Sequence, residues 1–474
     1  MHTQYRLHSS LLLFVFSCFP YQNQASQIQF HTLHIASDAS VSECRRPSTS
    51  ALEVVDRYGA CAPPHQNNPP SLAHILHLDQ LRADSIQARL NDQLQNANDK
   101  RQKANLTVHL QSDLPLDSLH YIVTLNLLNT PQSVPPLSLV LDTGRGLTFT
   151  QTCASPRLFD SNSSYSPIEC YEVECLDLAM DQWQWPMPFP SPSDICAQSR
   201  TCNYVLVNKN SQQVLNTGIL SKVNLTVTST DVIPGFLFGC GHNTPAAPNL
   251  FGYGVDGVLG LGRDSKLSFV SQTDDTYHSR FSYCLPSNSS STGYLTFGKN
   301  NTHHNNDTLL FTPFTTPHDR SHYFVDIITI TVGETRLPLD YQADLSGTII
   351  ESGVKFTRLP PAAYSTMRDE FKRQMGTNYP AAEVFSILDT CYDTTSQTSI
   401  TAPPVSFTFS NNVTVHLDVS GILYVVNSTL TCFAFAQTSD PGDFAIFAST
   451  QQRTLRMVFD VANEMLGLGH NGCP

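Results

Sequence analysis

Three features of the 474-residue sequence predict an all-β protein with more than one lobe. The composition is turn-rich, with 30 Pro, 23 Gly and only 14% charged residues, which suits a β protein better than a helical bundle or a disordered chain. Short alternating or β-branched runs, bounded by Gly, Pro, Asn and Ser, follow one another from Tyr121 onward. A carboxylate on a Ser/Thr-Gly turn follows an apolar run twice, at Asp142 and at Glu351.

Residues 1–26 predict a secretory signal peptide. Arg6 precedes the apolar stretch 11–16, and small and polar residues follow near Ser26. The stretch is too short to span a membrane, and no later window is apolar enough to do so. We therefore expect a secreted protein, extracellular or apoplastic, without a membrane anchor.

Residues 27–112 predict a prosegment. A helix is expected from Ser71, which could cap it, to about Leu94, and a polar linker follows over residues 96–104. An N-terminal helix joined in this way to a β-rich body is a candidate prosegment, and an ordinary N-terminal helix is the alternative that the residues alone favour. The helix is predicted by apolar residues at roughly helical spacing, namely Leu72, Ile75, Leu76, Leu81, Ile86 and Leu90.

The β-rich body divides into a first lobe, residues 113–295, and a second lobe, residues 296–474, because the distance between the two acid turns accommodates one lobe. The boundary is expected between Ser287 and Asn306. One helix is predicted after Pro360-Pro361, over residues 362–375. The best strand signals are residues 121–125, 223–227, 236–238, 323–332, 405–409 and 457–459.

Composition also limits the partners and cofactors. The net charge of −13 and the lack of a basic run argue against nucleic acid. The sequence has no C-x-x-C pair, no H-E-x-x-H and no G-x-S-x-G, so neither a metal site nor a nucleophile elbow is indicated. We expect a monomer without cofactor or metal.

Cysteines and glycosylation sequons agree with a secreted protein. Of 13 cysteines, three precede the β-rich body. The other ten are predicted to form disulfides: Cys153, Cys170, Cys175, Cys196, Cys202, Cys240, Cys284, Cys391, Cys432 and Cys473. Eight sequons predict glycosylated surface loops, at Asn105, Asn162, Asn224, Asn288, Asn300, Asn306, Asn412 and Asn427.

The paired turns point to hydrolysis by two carboxylates. Two carboxyl groups held close together share one proton, because both cannot ionise at short range. The ionised group can take a proton from water while the protonated group donates to a carbonyl. Asp142 and Glu351 are the candidates, supported by the glycine-rich run 255–262 downstream of the first turn. Asp389-Thr390-Cys391 lacks the glycine and is interpreted as a chance match.

The chain resembles the plant nepenthesin-like branch of the pepsin-like aspartic endopeptidases, over nearly all of residue 71 to the C-terminus. The resemblance is carried by residues 147–151, 238–241, 260–263, 281–286, 357–364, 387–392 and 471–473, and by a cysteine-bearing insert over 153–202. It implies a bilobal double β-barrel with few short helices and a peptide or protein ligand in a central cleft. It also implies Gly144, Gly353 and the flap residue Asn208 as substrate-binding positions.

Several positions depart from the pattern of the family. The family has Ser after the first turn and Thr after the second, and we expect both outer hydrogen bonds of the acids to be lost here. A flap tyrosine and its tryptophan partner are also replaced, and Tyr204 would compensate only through a four-residue shift in register. The departures are Arg145 for Ser, Val354 for Thr, Asn208 for Tyr, Phe149 for Trp, Ala448 for a Gly that the methyl should crowd, and Thr152 and Ser155 for Cys.

Three functions stay open at this point. The chain could be an acid-acting endopeptidase, made as a zymogen, with weak turnover by an asymmetric Asp142–Glu351 dyad. It could be a non-catalytic relative that binds a peptide or protein in the cleft, since some plant proteins of this fold inhibit secreted glycosidases. It could also be a drifting gene copy without a selected role.

Overall fold

The structure, a computed structural model, describes residues 30–35, 44, 51–63, 69–96, 108–112, 119–125, 136–151, 153, 165–181, 200–208, 214–228, 231–242, 254–263, 265–298, 309–315, 322–341, 345–470 and 472–473. Within these ranges it consists mostly of β-strands with few helices, as the sequence predicts. The predicted signal peptide, most of the linker, Thr152, Ser155 and Cys196 lie outside them. Among the described helices, none is long and apolar enough to cross a membrane.

The N-terminal segment contributes one long helix and three strands. The helix begins one residue after Ser71, whose Oγ accepts the backbone N–H of His74 at 3.3 Å, as expected of a cap. The elements are β1 (His31–His34), β2 (Leu52–Asp56), α1 (Leu72–Asn96) and β3 (Val108–Ser112).

The first lobe is built from ten strands and three short helices within the described ranges. The strands are β4 (Tyr121–Leu125), β5 (Leu137–Asp142), β6 (Phe149–Thr150), β7 (Ser166–Pro167), β8 (Asn203–Asn208), β9 (Val214–Thr226), β10 (Val232–His242), β11 (Gly257–Gly260), β12 (Arg280–Cys284) and β13 (Gly293–Phe297). The helices are α2 (Val173–Asp181), α3 (Phe269–Gln272) and α4 (Asp274–Tyr277).

The second lobe follows with seventeen described strands. They are β14 (Leu310–Pro313), β15 (Tyr323–Val325), β16 (Ile327–Val332), β17 (Thr335–Arg336), β18 (Thr348–Glu351), β19 (Thr357–Leu359), β20 (Ala381–Ala382), β21 (Cys391–Asp393), β22 (Ser399–Ala402), β23 (Val405–Phe409), β24 (Val413–His416), β25 (Leu423–Asn427), β26 (Leu430–Phe433), β27 (Phe435–Gln437), β28 (Ile446–Ala448), β29 (Arg456–Asp460) and β30 (Met465–Gly469). The helices are α5 (Pro361–Met375), a 3-10 turn (Ser410–Asn412), α6 (Val419–Ile422) and α7 (Ser449–Gln452).

The predicted strand 323–332 is divided at Asp326. β15 pairs with β18, whereas β16 pairs with β23 in another sheet. The chain changes sheets at this residue, whose Oδ1 accepts the N–H of Gly347 at 2.8 Å. Alternating hydrophobicity cannot show such a change, because both halves have the same period.

One sheet of fifteen strands contains strands of both lobes and of the N-terminal segment, and the lobes meet where β12 pairs with β29. Its order runs β14-β30-β29-β12-β13-β2-β4-β5-β11-β6-β10-β9-β8-β3, with β7 on β9. β2 lies between β13 and β4, and β3 pairs with the flap strand β8. Near the centre, Phe459 stacks on Phe281 at 4.5 Å between ring centroids and meets Tyr323 edge-on at 4.7 Å.

Each acid turn ends a strand that pairs in parallel with a later strand of its lobe. Asp142 of β5 lies opposite Gly260 of β11, and Glu351 of β18 lies opposite Ala448 of β28. A Cβ atom on Gly260 would lie 2.2 Å from the carbonyl oxygen of Gly146. The close approach of these two backbones explains the glycine in the run 255–262.

Disulfides connect distant parts of the body. The described pairs are Cys153–Cys240, Cys175–Cys202, Cys284–Cys473 and Cys391–Cys432, and Cys170 is also disulfide-bonded. Cys44 and Cys61, left out of the predicted set, pair with each other in the N-terminal segment.

Candidate active site

The two acid turns present their carboxylates in the same way. The N–H of Gly144 donates to Asp142 Oδ1 at 3.0 Å, and the N–H of Gly353 donates to Glu351 Oε1 at 2.8 Å. Both acids are fully buried. The extra methylene of Glu351 has therefore not broken the correspondence between the turns.

The middle residues of the turns bind each other across the two lobes. The N–H of Ser352 donates to Thr143 Oγ1 at 3.0 Å, and the N–H of Thr143 donates to Ser352 Oγ at 3.3 Å. The Ser352 hydroxyl also donates to the carbonyl of Leu141 at 3.3 Å. These reciprocal bonds fix the position of one acid relative to the other.

A basic residue of helix α1 occupies the point between the acids. Arg82 Nη2 lies 3.0 Å from Asp142 Oδ1 and 3.3 Å from Glu351 Oε1, and the Arg82 side chain is only 1% exposed. One nitrogen thus binds a carboxylate of each lobe.

Further polar and apolar contacts hold α1 in the cleft. Asp79 accepts from Arg358 Nη2 at 2.7 Å and from the N–H of Lys355 at 2.5 Å. Gln87 exchanges two hydrogen bonds with the backbone of Phe444, at 2.7 and 3.0 Å. Apolar residues of the helix share a buried cluster with the second lobe, namely Ala83, Ile86 and Leu90 with Phe324, Ile349, Val354, Ile446 and Ala448.

The outer oxygen of each acid, the one that does not accept the glycine N–H, has different surroundings in the two lobes. Asp142 Oδ2 forms no hydrogen bond within the described ranges, but Arg145 Nε lies 3.6 Å away. Glu351 Oε2 also forms none there, and the fully buried Val354 has no hydroxyl to offer. Both outer hydrogen bonds are absent in the described part of the chain, and an ion pair replaces the first.

These surroundings move the pKa values of the acids in opposite directions. Burial opposes ionisation of Asp142, yet the charges of Arg82 and Arg145 and the amide of Gly144 hold its pKa below the ordinary value. Burial raises the pKa of Glu351; Arg82 and His322 lower it and the charge of Asp142 raises it, and it ends above the ordinary value. Asp142 is therefore the ionised member of the pair.

Both turn glycines lie close against side chains of the site. A Cβ atom on Gly144 would lie 2.5 Å from Glu351 Oε2, and one on Gly353 would lie 2.6 Å from Arg82 Nη2. A side chain at either position would displace an acid or the arginine.

Two departures from the family concern the flap, namely Asn208 at the end of β8 and Phe149 in place of the tryptophan partner. Asn208 ends β8, and its side chain lies outside the described part of the chain. Tyr204 is fully buried in the first-lobe core beside Phe149, so in this register it does not take the place of the flap tyrosine. The Arg145 guanidinium lies over the Phe149 ring at 5.7 Å, so two of the departures contact each other.

Ala448, where crowding by the methyl group is expected, lies opposite Glu351 in the paired strands. Its methyl group is buried in the apolar cluster that α1 shares with Val354. Its N–H donates to Thr357 Oγ1 at 3.0 Å, as the N–H of Gly260 donates to Thr148 Oγ1 at 3.1 Å in the first lobe.

Other predicted positions lie away from the acids. Asp389 is exposed and accepts hydrogen bonds from Tyr364, Arg368 and Thr390, as expected of a structural residue. Among the sequons, Asn288, Asn412 and Asn427 are exposed and Asn224 is half-buried, whereas Asn105, Asn162, Asn300 and Asn306 lie outside the described ranges. Glycosylation stays a prediction. Within those ranges, no group of three or more His, Cys, Asp and Glu could hold a metal ion.

The sequence did not identify three residues of the site, which are Asp79, Arg82 and His322. Asp79 and Arg82 lie on the apolar face of α1, where charged residues are unusual and mark a buried contact. His322 approaches Glu351 through strand pairing, for which the sequence carries no local signal.

Comparisons with known proteins agree with this geometry. The family model described as "Xylanase inhibitor N-terminal" matches residues 121–299, and "Xylanase inhibitor C-terminal" matches residues 322–470. An aspartyl protease family protein of Arabidopsis thaliana is 38% identical over 95% of this chain and 94% of its own length. Aspartyl protease AED1 of the same plant is 36% identical over 94% and 92%.

More distant matches support the same fold. Aspartic proteinase nepenthesin-1 of Nepenthes gracilis is 28% identical over 74% of this chain and 78% of its own. The crystal structure of basic 7S globulin from soybean matches with a TM-score of 0.57 at 19% identity, over 74% of this chain and 91% of that chain. At that identity the likeness concerns the fold alone.

Proposed function

Because the chain belongs to the plant pepsin-like family of aspartic proteases, we propose that it is the precursor of a slow, acid-acting endopeptidase. One observation carries this proposal: a single nitrogen of Arg82 lies within hydrogen-bonding distance of both Asp142 and Glu351. The inner oxygens of the acids therefore face one point in the cleft. A water molecule would bind there once Arg82 withdraws.

In this mechanism Asp142 is the base and Glu351 is the acid, since their surroundings separate their pKa values. Water gives a proton to Asp142 as its oxygen bonds to the scissile carbonyl carbon, and Glu351 gives its proton to the carbonyl oxygen. The C–N bond then breaks. The leaving nitrogen takes the proton from Asp142, and a hydroxyl proton of the intermediate returns to Glu351.

Three features make this turnover slow. Glu351 carries one extra methylene, and a misplacement of about 1 Å at a reacting centre can cost on the order of a hundredfold in rate. Val354 cannot offer the outer oxygen of Glu351 the hydroxyl hydrogen bond that the Thr of the family would make, and losing such a bond costs about 0.5–1.5 kcal/mol. Asn208 stands where the family has its flap tyrosine, so a donor to the transition state is lost.

The N-terminal segment would keep the precursor inactive. Arg82 fills the position of the attacking water, and α1 lies in the cleft where a peptide substrate would bind. Residues 27–112 would therefore act as a removable prosegment behind the signal peptide 1–26. The disulfides support secretion, and we propose a monomer that acts on peptide or protein substrates.

Cleavage of unfolded proteins between pH 3 and 6 tests this proposal, using the full-length protein after it has processed itself or been processed by an added protease. We expect measurable cleavage that Asp142→Asn reduces at least a hundredfold. Asp389→Asn is the matched control, because that acid begins a similar triplet outside the cleft, and it should leave the rate unchanged. A processed protein that cleaves nothing in this range would contradict the proposal.

A non-catalytic peptide- or protein-binding function is the second candidate. The unpartnered outer oxygen of Glu351 and the family models named after xylanase inhibitors favour it. In that case the processed protein would retain a ligand in the cleft without cleaving it, and Asp142→Asn would leave binding intact.

A further inference from the structure

We propose that His322 is a positioning residue for Glu351 and holds the outer oxygen of that carboxylate once helix α1 has left the cleft. This rests on the proposed function, because it concerns the processed protein. It would give one explanation for two features of the second turn, a glutamate where the first turn has an aspartate and the hydroxyl missing at Val354.

Strand pairing places the two side chains together. Tyr323 of β15 pairs with Ile350 of β18, and Phe324 pairs with Ile349. The next position along this antiparallel register brings His322 opposite Glu351. Directly opposite residues project to the same face of a sheet and interact.

Distances around the first acid turn agree with this register. The position that a Cβ atom would take on Gly144 lies 2.5 Å from Glu351 Oε2 and 3.1 Å from His322 Nε2. Both residues are buried, and His322 is only 1% exposed. The imidazole nitrogen and the carboxylate oxygen therefore adjoin the same glycine.

In the precursor, Arg89 of helix α1 engages the relevant nitrogen. Arg89 Nη2 lies 2.5 Å from His322 Nε2. Arginine has donors only, so Nε2 must offer its lone pair to Arg89. In the same state Arg82 binds the inner oxygen of Glu351, and one helix thus occupies both members of the pair.

Departure of α1 removes both arginines together. Nε2 of His322 then no longer faces a donor from α1, so the imidazole can carry its proton on Nε2 and donate this N–H to Glu351 Oε2. This bond would take the place of the hydroxyl bond that Val354 cannot make. An aspartate would end about one bond length short of the imidazole, so the length of the glutamate suits the pair.

Kinetics of the processed protein test the pair. His322→Phe should lower kcat on the order of tenfold with little change in KM, whereas His322→Gln, which keeps a donor, should retain most of the rate. In a Glu351→Asp background His322→Phe should cost less than about twofold, because the shorter acid does not reach residue 322. Equal losses in both backgrounds would overturn the proposal.

A second measurement does not depend on activity, so it separates this proposal from the proposed function. In the full-length chain, Arg89→Met removes the Arg89 contact with His322 without removing α1. At pH 5, proton–nitrogen NMR of histidine-labelled protein should show a downfield, slowly exchanging imidazole N–H. His322→Gln should remove this signal, and a further Glu351→Gln in the Arg89→Met chain should shift it upfield and speed its exchange. An identical signal with Glu351→Gln would overturn the pairing even if the protein is inactive.

Discussion

Arg145 gives the two acids different electrostatic surroundings. Its Nε lies 3.6 Å from Asp142 Oδ2, and its side chain is only 11% exposed. Arg82 is shared by both acids and would leave with the N-terminal segment, but Arg145 is part of the first lobe and stays. The residue that replaces the usual serine therefore supplies a charge that favours the ionised form of Asp142 in place of a hydrogen bond.

Replacement of Arg145 should change the pH dependence of cleavage. Arg145→Met removes the charge, so the pKa of Asp142 should rise and the base form should be lost at a higher pH. The acid limb of the kcat/KM profile should then move toward neutral pH, and cleavage at the acid end should fall several-fold. Arg145→Lys is the control that keeps the charge and should leave the limb in place. A limb that is identical in all three proteins would contradict this role.

Helix α1 shows which features of an element the sequence could predict. Its N-terminus at Ser71 and its apolar positions followed from capping and helical spacing. The roles of Asp79 and Arg82 were not predicted, because their partners lie 60 to 279 residues away in the sequence. These partners are Arg358, Asp142 and Glu351. Charged residues on an apolar face were the available signal.

Strand pairing could not be predicted either, because it also joins residues that are distant in the sequence. The runs that became β4 and β23 were predicted with their observed bounds, since period-two alternation is local. The register that places His322 opposite Glu351 depends on which strands meet. Both acid turns were predicted because each is a short, contiguous motif, whereas their surroundings are assembled from both lobes and from α1.

Asp79 should anchor α1 more strongly than any surface contact of the helix. Both Asp79 and Arg358 are fully buried and lie 2.7 Å apart. Asp79→Asn leaves a buried guanidinium without its counter-charge, so unfolding of the full-length protein should become easier by about 3–5 kcal/mol. Asp84→Asn, on the same helix, alters an exposed contact with Ser439 and should cost about 1 kcal/mol or less. Urea denaturation of both variants measures the difference, and similar losses would contradict a buried anchor.

At the scale of the whole molecule, the N-terminal segment contacts both lobes. β1 pairs with β22 of the second lobe, β2 is inserted in the sheet that joins the lobes, and β3 pairs with the flap strand β8. α1 lies between the acids. Release of the segment would therefore require separation of strands as well as withdrawal of Arg82.

His120 lies where this segment meets the two lobes. Its ring is 3% exposed, and neither ring nitrogen forms a hydrogen bond within the described ranges. Arg57, just after β2, donates its backbone N–H to the His120 carbonyl at 2.8 Å, and the Tyr58 ring lies 5.7 Å from the imidazole. Burial, together with the charges of Lys355, Arg57 and Arg453, holds the pKa of His120 well below its usual value.

Acid should therefore destabilise the full-length protein through His120 before the carboxylates are protonated. The unfolded chain binds a proton at this histidine below about pH 6.5, but the folded protein resists it, because burial opposes the charge and the charges of Lys355, Arg57 and Arg453 add to this. The stability that this difference gives the folded protein is fully present above that pH. As the pH falls, the free energy of unfolding decreases by up to about 1.4 kcal/mol per pH unit. His120→Phe should flatten the fall in unfolding free energy between pH 7 and 5, measured by urea denaturation at each pH. His77→Phe, at an exposed position of α1, is the control and should leave the fall in unfolding free energy as steep as in the unchanged protein. A fall that His120→Phe does not flatten would show that a different group causes it.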